Sequence, residues 1–135
     1  MPSVLRSLTW DDCEHAVREL ADRIISLDRV REACGVFGPP RGGLVLAVCL
    51  SHRLGVPLLH NPTPGMIWVD DIVDSGRTLT TTSGLSAVSC AWFERRSGMV
   101  EVACNQCDGA EWVVFPWESM AVAERDRAAY ELSRQ

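Results

Sequence analysis

The sequence predicts one α/β domain with a central, mostly parallel sheet flanked by helices. Apolar segments of strand length alternate with segments of helical character, and this alternation is typical of parallel sheets with covered faces. Several of these segments are continuous apolar runs, as expected for strands buried on both faces. The 135 residues are enough for one domain, and 47% hydrophobic with 23% charged residues is ordinary for a globular protein.

The first part of the chain predicts two helices around a short strand. Over residues 10–33, apolar residues recur at helical spacing with charged residues between them, and Gly35 marks the end of that helix. Residues 36–37 are a short apolar strand candidate, followed by the breaker-rich loop 38–43. Residues 44–55 are mostly apolar and end in glycine, which predicts a helix with a glycine C-cap.

The rest of the chain continues the alternation. Residues 56–60 predict a buried strand and 61–65 a tight turn, because the turn carries two prolines and a glycine. The apolar run 66–70 is a strong strand candidate, and a helix is expected from about Arg77. Further apolar runs predict strands at 87–94, 99–104 and 111–118, and the final stretch has helical composition.

Composition and charge exclude several functions. Lysine is absent and all 13 basic residues are arginine, which excludes a complete P-loop, a lysine Schiff base and a Ser–Lys hydrolase. The formal net charge of −5 disfavours nucleic-acid binding through a broad basic surface. No apolar run approaches the ~20 residues of a membrane span, and no export signal is recognised. We therefore expect a cytoplasmic protein without nucleic-acid or membrane partners.

The cysteines predict reduced thiols. Cys34, Cys49 and Cys90 have apolar or small neighbours and are interpreted as core residues. Cys104 and Cys107 form a single CxxC pair, whereas a structural zinc site usually needs a second pair or histidines at ligand spacing. The three histidines are scattered, so zinc binding is disfavoured.

The segment WVDDIVDSGRT, residues 68–78, combines acids with an anion-binding turn. Asp70 and Asp71 lie at the carboxyl end of a predicted strand, where parallel sheets bind ligands. Residues 74–78 then enter a helix, whose N-terminal N–H groups suit a phosphate. Acids beside a phosphate make sense when the ligand also carries hydroxyls or a magnesium ion, as a ribose phosphate does. The alternative is ordinary helix capping beside solvated acids.

This segment resembles the phosphoribosyl-pyrophosphate (PRPP) motif of type I phosphoribosyltransferases, in which an apolar strand precedes two acids, two apolar residues and Asp-Ser/Thr-Gly-x-Thr. The matching string is Ile67-Trp68-Val69-Asp70-Asp71-Ile72-Val73-Asp74-Ser75-Gly76-Arg77-Thr78. The upstream loop is similar to the pyrophosphate loop of bacterial xanthine-guanine phosphoribosyltransferases: Gly38-Pro39-Pro40-Arg41-Gly42-Gly43-Leu44. In isolation, this loop would be a Pro/Gly turn with a surface arginine.

Two later segments extend the resemblance. Residues 112–118, WVVFPWE, look like the Trp-Ile-x-x-Pro-Trp-Asp segment of the xanthine-guanine enzymes, in which the tryptophan packs on the purine and the next residue offers backbone groups to the base. Residues 93–98 lie where the family has Phe-x-Lys-Pro-x-Gly, with Arg95 in place of the lysine that contacts the purine 6-oxo group. The alternatives are a core tryptophan and a solvated arginine.

The resemblance implies a purine phosphoribosyltransferase that moves the ribose 5-phosphate of PRPP to a 6-oxopurine and releases pyrophosphate. It implies one domain over 1–135, with a core at about 8–104 and a small C-terminal hood at about 105–118. The stretch after Glu118 departs from the family, and its composition predicts a helix at about 119–133. The resemblance also implies Mg2+ as cofactor, PRPP and a purine base as partners, and a homo-oligomer, dimer or tetramer.

The roles that the resemblance implies fall on four groups of residues. Asp74 is the catalytic proton acceptor and, with Asp70 and Asp71, binds PRPP; the other two acids also hold the metal. The 5′-phosphate falls to Ser75, Gly76, Arg77 and Thr78. Pyrophosphate falls to Arg41, Gly42 and Gly43, and the purine to Arg95, Trp112 and Val113.

One departure from the family keeps other functions open. Family members have a long flexible lid loop after the second strand, but here that space holds only residues 58–65. A lid excludes water and completes a site, so a lidless PRPP- or nucleotide-binding relative without turnover is the second hypothesis. A magnesium-dependent hydrolase or phosphatase with paired aspartates is the third and weakest, because the acids do not form a DxDx(T/V) motif and lysine is absent.

Overall fold

The computed structural model describes residues 4–74 and 83–133. The strands are β1 (Val4–Ser7), β2 (Val36–Phe37), β3 (Ile67–Val73), β4 (Val88–Glu94), β5 (Val102–Gln106) and β6 (Glu111–Val114). The helices in these residues are α1 (Trp10–Ser26), α2 (Gly42–Leu54) and α3 (Met120–Ser133), with short 3-10 turns at Val30–Glu32 and Ser83–Leu85. The chain divides into a larger unit, His15–Cys107, and a smaller unit, Met1–Glu14 with Asp108–Gln135.

The larger unit is built on a parallel four-stranded sheet in the order β2-β3-β4-β5. The two inner strands carry fully buried Trp68 and Phe93, because apolar side chains alternate onto both covered faces. Helix α2 packs against β3 and buries Leu46 and Leu50, while α1 buries Leu20 within the same core. These packed layers bring the carboxyl ends of β3, β4 and β5 to one edge of the sheet.

The smaller unit contains the parallel pair β1–β6, in which Leu5 lies opposite Trp112. Its aromatic side chains pack together: Phe115 stacks on Trp117 with ring centroids 5.1 Å apart, and Trp10 lies 6.0 Å from Trp117. Helix α3 packs on β6. In the described residues, no helix combines the length and apolar character needed to cross a bilayer.

The fold confirms the predicted α/β class, but several element boundaries differ from the sequence prediction. The helix predicted over 10–33 ends at Ser26, because Asp28 adopts a left-handed φ of 56°. Residues 56–60 do not form a buried strand: only Leu58 makes a parallel bridge to Val36. The Pro57 carbonyl accepts from the Val36 N–H at 2.9 Å. Because proline has no N–H to donate to a ladder, the segment stays at the sheet edge.

Three predicted strands in the second half of the chain need correction, and so does the interpretation of two cysteines. Strand β3 continues to Val73, since its last residues pair with the end of β4, so Asp71 lies within the strand and not in the loop predicted to follow residue 70. Strand β5 begins at Val102 and not at residue 99, and β6 ends at Val114. Among the cysteines predicted to be core residues, Cys34 is exposed and Cys49 is partly buried, whereas Cys90 is buried.

Candidate functional site

The loop before α2 and the middle of β3 pack closely together. Helix α2 begins at Gly42, after a cis peptide bond between Pro40 and Arg41, and the side chain of the N-cap residue Arg41 makes no capping hydrogen bond. Gly38 lies against Gly43, so that the loop is folded tightly onto the helix start. The loop therefore presents the N-terminal backbone of α2 to the neighbouring strand, and the N-terminus of a helix favours negative charge.

The negative charge at this place comes from β3. Gly42 leaves no room for a side chain, because a Cβ there would collide with the Asp71 carboxylate. At Gly43, a Cβ would lie 2.9 Å from Asp70 Oδ1. Both glycines are thus required by the close approach of the two carboxylates to the start of α2. The structure brings together the acidic motif and the Arg-Gly-Gly loop, which are separated by more than twenty residues in sequence.

The two acids influence each other electrostatically. Asp70 Oδ1 accepts from the Asp71 N–H at 2.9 Å, and Asp71 Oδ1 accepts from the Ile72 N–H at 2.8 Å. Burial, and secondly the adjacent Asp71 charge, raise the pKa of Asp70 to about 8. Because this site disfavours a second negative charge, a bound cation would stabilise it by neutralising the charge of the two carboxylates.

The donor chemistry fits magnesium better than zinc. Two neighbouring carboxylates provide hard oxygen ligands, and Mg2+ is usually held by one or two carboxylates together with substrate phosphates and water. No cluster of three or more His, Cys, Asp or Glu with metal-site geometry occurs among residues 4–74 and 83–133. Among the described residues, the carboxylates that lie together at this place are those of Asp70 and Asp71.

A second group of side chains meets at the ends of β3, β4 and β5. Arg95 Nε lies 3.3 Å from Asp74 Oδ1, and Arg95 Nη1 donates to Cys107 Sγ at 3.2 Å. The Arg95 side chain is only 12% exposed, against 37% for Asp74. This arrangement places a carboxylate acceptor beside a guanidinium donor, at the sheet edge where parallel folds bind ligands.

The loop after β4 is fixed by a buried carboxylate. Glu94 is 4% exposed, and its Oε1 accepts from the Gly98 N–H at 3.0 Å while its Oε2 accepts from the Val100 N–H at 3.4 Å. These bonds satisfy a buried charged group with backbone donors. Glu94 thereby closes the loop that contains Arg95, and β5 begins after this loop, at Val102.

The two purine residues predicted in the C-terminal segment lie in the smaller unit. Trp112 in β6 packs against Tyr130 of α3, with ring centroids 5.1 Å apart and an angle of 53° between the planes. Val113 is buried and lies opposite Arg6 of β1. Four other predicted site residues, Ser75, Gly76, Arg77 and Thr78, lie outside the described residues.

Sequence reasoning missed three residues that shape these sites: Cys107, Glu94 and Tyr130. Cys107 directly follows β5, at the sheet edge where parallel folds bind ligands, but the sequence carried no signal for this because the predicted strand 99–104 ends three residues earlier. Glu94, an acid inside an otherwise apolar strand, was a signal for a buried carboxylate with backbone donors. No sequence pattern pointed to Tyr130.

Comparisons with known proteins agree with the resemblance. A curated relative, the xanthine-guanine phosphoribosyltransferase of Desulfotalea psychrophila (strain LSv54 / DSM 12343), is 22% identical over 139 residues, covering 83% of this chain and 85% of that protein. No protein-family model matches the chain.

Solved structures match over most of their length. A purine phosphoribosyltransferase from Pyrococcus horikoshii Ot3 has a TM-score of 0.67 at 25% identity, covering 86% of this chain and 95% of that one. The Helicobacter pylori xanthine-guanine-hypoxanthine phosphoribosyltransferase has a TM-score of 0.69 at 15% identity, covering 91% and 99%. A hypothetical protein from Neisseria gonorrhoeae with bound ppGpp has a TM-score of 0.67 at 14% identity, covering 97% and 98%.

Proposed function

We propose that this chain, a type I phosphoribosyltransferase by its fold, motifs and relatives, transfers the ribose 5-phosphate of PRPP to a 6-oxopurine and releases pyrophosphate. The observation that carries the proposal is the approach of the Asp70 and Asp71 carboxylates to Gly42 and Gly43 at the start of α2. Acceptors for ribose hydroxyls thus stand beside backbone N–H groups suited to a diphosphate, and PRPP carries both groups on one sugar.

The acids and the loop divide the work of binding PRPP. Asp70 and Asp71 accept from the ribose hydroxyls and hold Mg2+, which supplies charge neutralisation for the pyrophosphate when bound. Arg41 and the N–H groups of Gly42 and Gly43 hold the leaving pyrophosphate through charge-assisted bonds. The proposal assigns the 5′-phosphate to residues 75–78, which follow Asp74 in the sequence.

The chemical step breaks the bond between C1 of the ribose and the pyrophosphate oxygen and forms a bond from C1 to a purine nitrogen. The transition state has oxocarbenium character, as in glycosyl transfer generally. Asp74 accepts the proton that the purine imidazole ring loses. Pyrophosphate leaves with the bonding electrons, so that charge develops next to Arg41 and the α2 start.

Base recognition is assigned to Arg95, Trp112 and Val113, as the resemblance implies. Arg95 donates to the purine 6-oxo group, while Trp112 stacks on the base and the backbone of Val113 meets its edge. The Asp74–Arg95 pair supports this assignment, because an acceptor beside a donor matches a ring N–H beside a carbonyl. Guanine, hypoxanthine and xanthine share that edge, whereas adenine presents an amino donor toward Arg95.

A second candidate is a PRPP- or nucleotide-binding protein with little turnover. Two observations favour it: only residues 59–66 separate the bridged Leu58 from β3, and a fold neighbour was solved with bound ppGpp. A segment this short leaves no lid to exclude water during the reaction. Under either candidate we propose a cytoplasmic homo-oligomer, dimer or tetramer, for which the exposed Leu44 and Val48 on α2 offer an apolar contact.

A panel of purine bases tests the proposal. Wild-type protein with PRPP and Mg2+ should convert guanine, xanthine or hypoxanthine to the nucleoside monophosphate, measured by chromatography, and should leave adenine unconverted. The Arg95→Ala variant should show a smaller preference for guanine over adenine as the converted base, because the donor that rejects the adenine amino group is lost. PRPP binding without nucleotide formation from any base would favour the second candidate instead.

A further inference from the structure

We propose that Cys107 is a positioning residue: its sulfur holds the Arg95 guanidinium in the orientation in which Arg95 and Asp74 meet the purine edge. The inference rests on the proposed function, since it concerns the same base site. It assigns to the second cysteine of the CxxC pair a role in base selection, and it requires neither metal binding nor redox chemistry.

The contact joins two side chains that are largely removed from solvent. Arg95 Nη1 lies 3.2 Å from Cys107 Sγ, the Arg95 side chain is 12% exposed and Cys107 is 1% exposed. Sulfur is a weak acceptor in water, but a charged donor strengthens the bond and burial removes competing water. A buried thiol at this distance therefore restricts where the guanidinium can lie.

The backbone around the contact is fixed from both sides. The Arg95 N–H donates to the Val73 carbonyl at 3.0 Å, and the Cys107 N–H donates to the Glu94 carbonyl at 3.0 Å. Asp74 contacts the guanidinium at Nε, on a different nitrogen from the one that meets sulfur. An arginine has several rotatable bonds, and the hydrogen bond to sulfur together with the 3.3 Å approach of Asp74 restricts where its planar guanidinium can lie.

The other cysteine of the pair has a different environment and provides a matched control. Cys104 Sγ lies 3.6 Å from the Ala16 carbonyl of α1, on the side of the sheet that α1 covers. Burial is the main cause that raises the pKa of Cys104 to about 12, which keeps this thiol protonated. A change at Cys104 removes a thiol from the same motif without touching Arg95.

The experiment compares Cys107→Ala, Cys107→Ser and Cys104→Ala in the full chain. Guanine KM, PRPP KM and the guanine-to-adenine preference are measured by nucleotide formation, and Kd values for GMP and AMP by calorimetry. For Cys107→Ala we expect the guanine KM and the GMP Kd to rise about tenfold, as when a group that orients a binding side chain is lost, with the PRPP KM unchanged. Cys107→Ser should recover part of the loss, because the hydroxyl still accepts, and Cys104→Ala should match wild type.

Two results overturn the inference. One is an equal rise of the guanine KM and the PRPP KM in Cys107→Ala; the other is a rise of the guanine KM in Cys104→Ala as large as in Cys107→Ala. Failure of the proposed function is a separate outcome, seen when wild type neither forms nucleotide nor binds GMP. In that case urea unfolding of Arg95→Gln, Cys107→Ala and the double variant decides whether the contact exists. If Cys107 holds the guanidinium, the urea midpoint of the double variant should fall by less than the sum of the decreases in the two single variants. Additive decreases would refute the contact.

Discussion

The buried acid Asp70 should make the stability of the protein fall as the pH rises. Its pKa is raised from 3.8 to about 8 by burial and by the adjacent Asp71. Between these values the folded chain keeps a proton that the unfolded chain has lost, so the free energy of unfolding decreases with rising pH, by up to about 1.4 kcal/mol per pH unit. Below about pH 4 and above about pH 8 this contribution is flat.

The substitution Asp70→Asn removes the titrating group and keeps its shape. As the pH rises from 5 to 8, the free energy of unfolding of the variant minus that of wild type should therefore increase. The increase is at most about 4 kcal/mol, the slope multiplied by three pH units. Asp22→Asn, at an exposed position of α1, is the control and should follow wild type at every pH.

Urea unfolding followed by tryptophan fluorescence, at several pH values in buffer with EDTA, measures the effect. EDTA is needed because a bound cation would favour the charged carboxylate. A stability difference between Asp70→Asn and wild type that stays constant from pH 5 to pH 8 would refute the reasoning, since the buried carboxyl would then titrate as it does in the unfolded chain.

Three further predictions concern ligand binding. Gly42→Ala should displace the Asp71 carboxylate, lower the free energy of unfolding by about 1–3 kcal/mol as overpacking does, and weaken PRPP binding; Gly84→Ala, with nothing within 4 Å of the added Cβ, should do neither in unfolding and calorimetric titrations. Arg41→Ala should weaken pyrophosphate and PRPP by about 1.5–3 kcal/mol but spare GMP, because its partner is the leaving group; equal losses in calorimetry would assign the loop to the other phosphate. Trp112→Ala should weaken guanine and adenine nucleotides alike, by about 1–3 kcal/mol, since stacking does not depend on the base edge; a loss confined to one of them would contradict stacking.

The chemistry proposed for the PRPP site could be inferred from the sequence, because it depends on residue types at fixed spacing along the chain. The acids of β3 and the glycines at the start of α2 were proposed as partners of one ligand. Their direct approach was not predicted, since it depends on how α2 packs against β3 and on the continuation of the strand to Val73. The raised pKa of Asp70 follows from that packing and has no local sequence signal.

Contacts between residues far apart in sequence account for most of what was missed. Cys107 and Arg95 meet because the neighbouring parallel strands β4 and β5 end at the same edge of the sheet. The register between these two strands cannot be predicted from the sequence of either strand alone. The segment 56–60 was predicted as a buried strand from its apolar residues, but Pro57 removes a ladder donor and the segment forms a single bridge at the edge. Local composition could not decide between these two outcomes.

The most direct test of the central claim is pyrophosphate release from PRPP with guanine and Mg2+, in wild type and in the Asp70→Asn, Asp71→Asn double variant. We expect wild type to release pyrophosphate only when guanine and Mg2+ are both present, with GMP formed in equal amount. The double variant should lose this release, because amides are poorer metal ligands and hydroxyl acceptors than carboxylates. Release that is unchanged in the double variant, or that is independent of guanine, would contradict the assignment of this site.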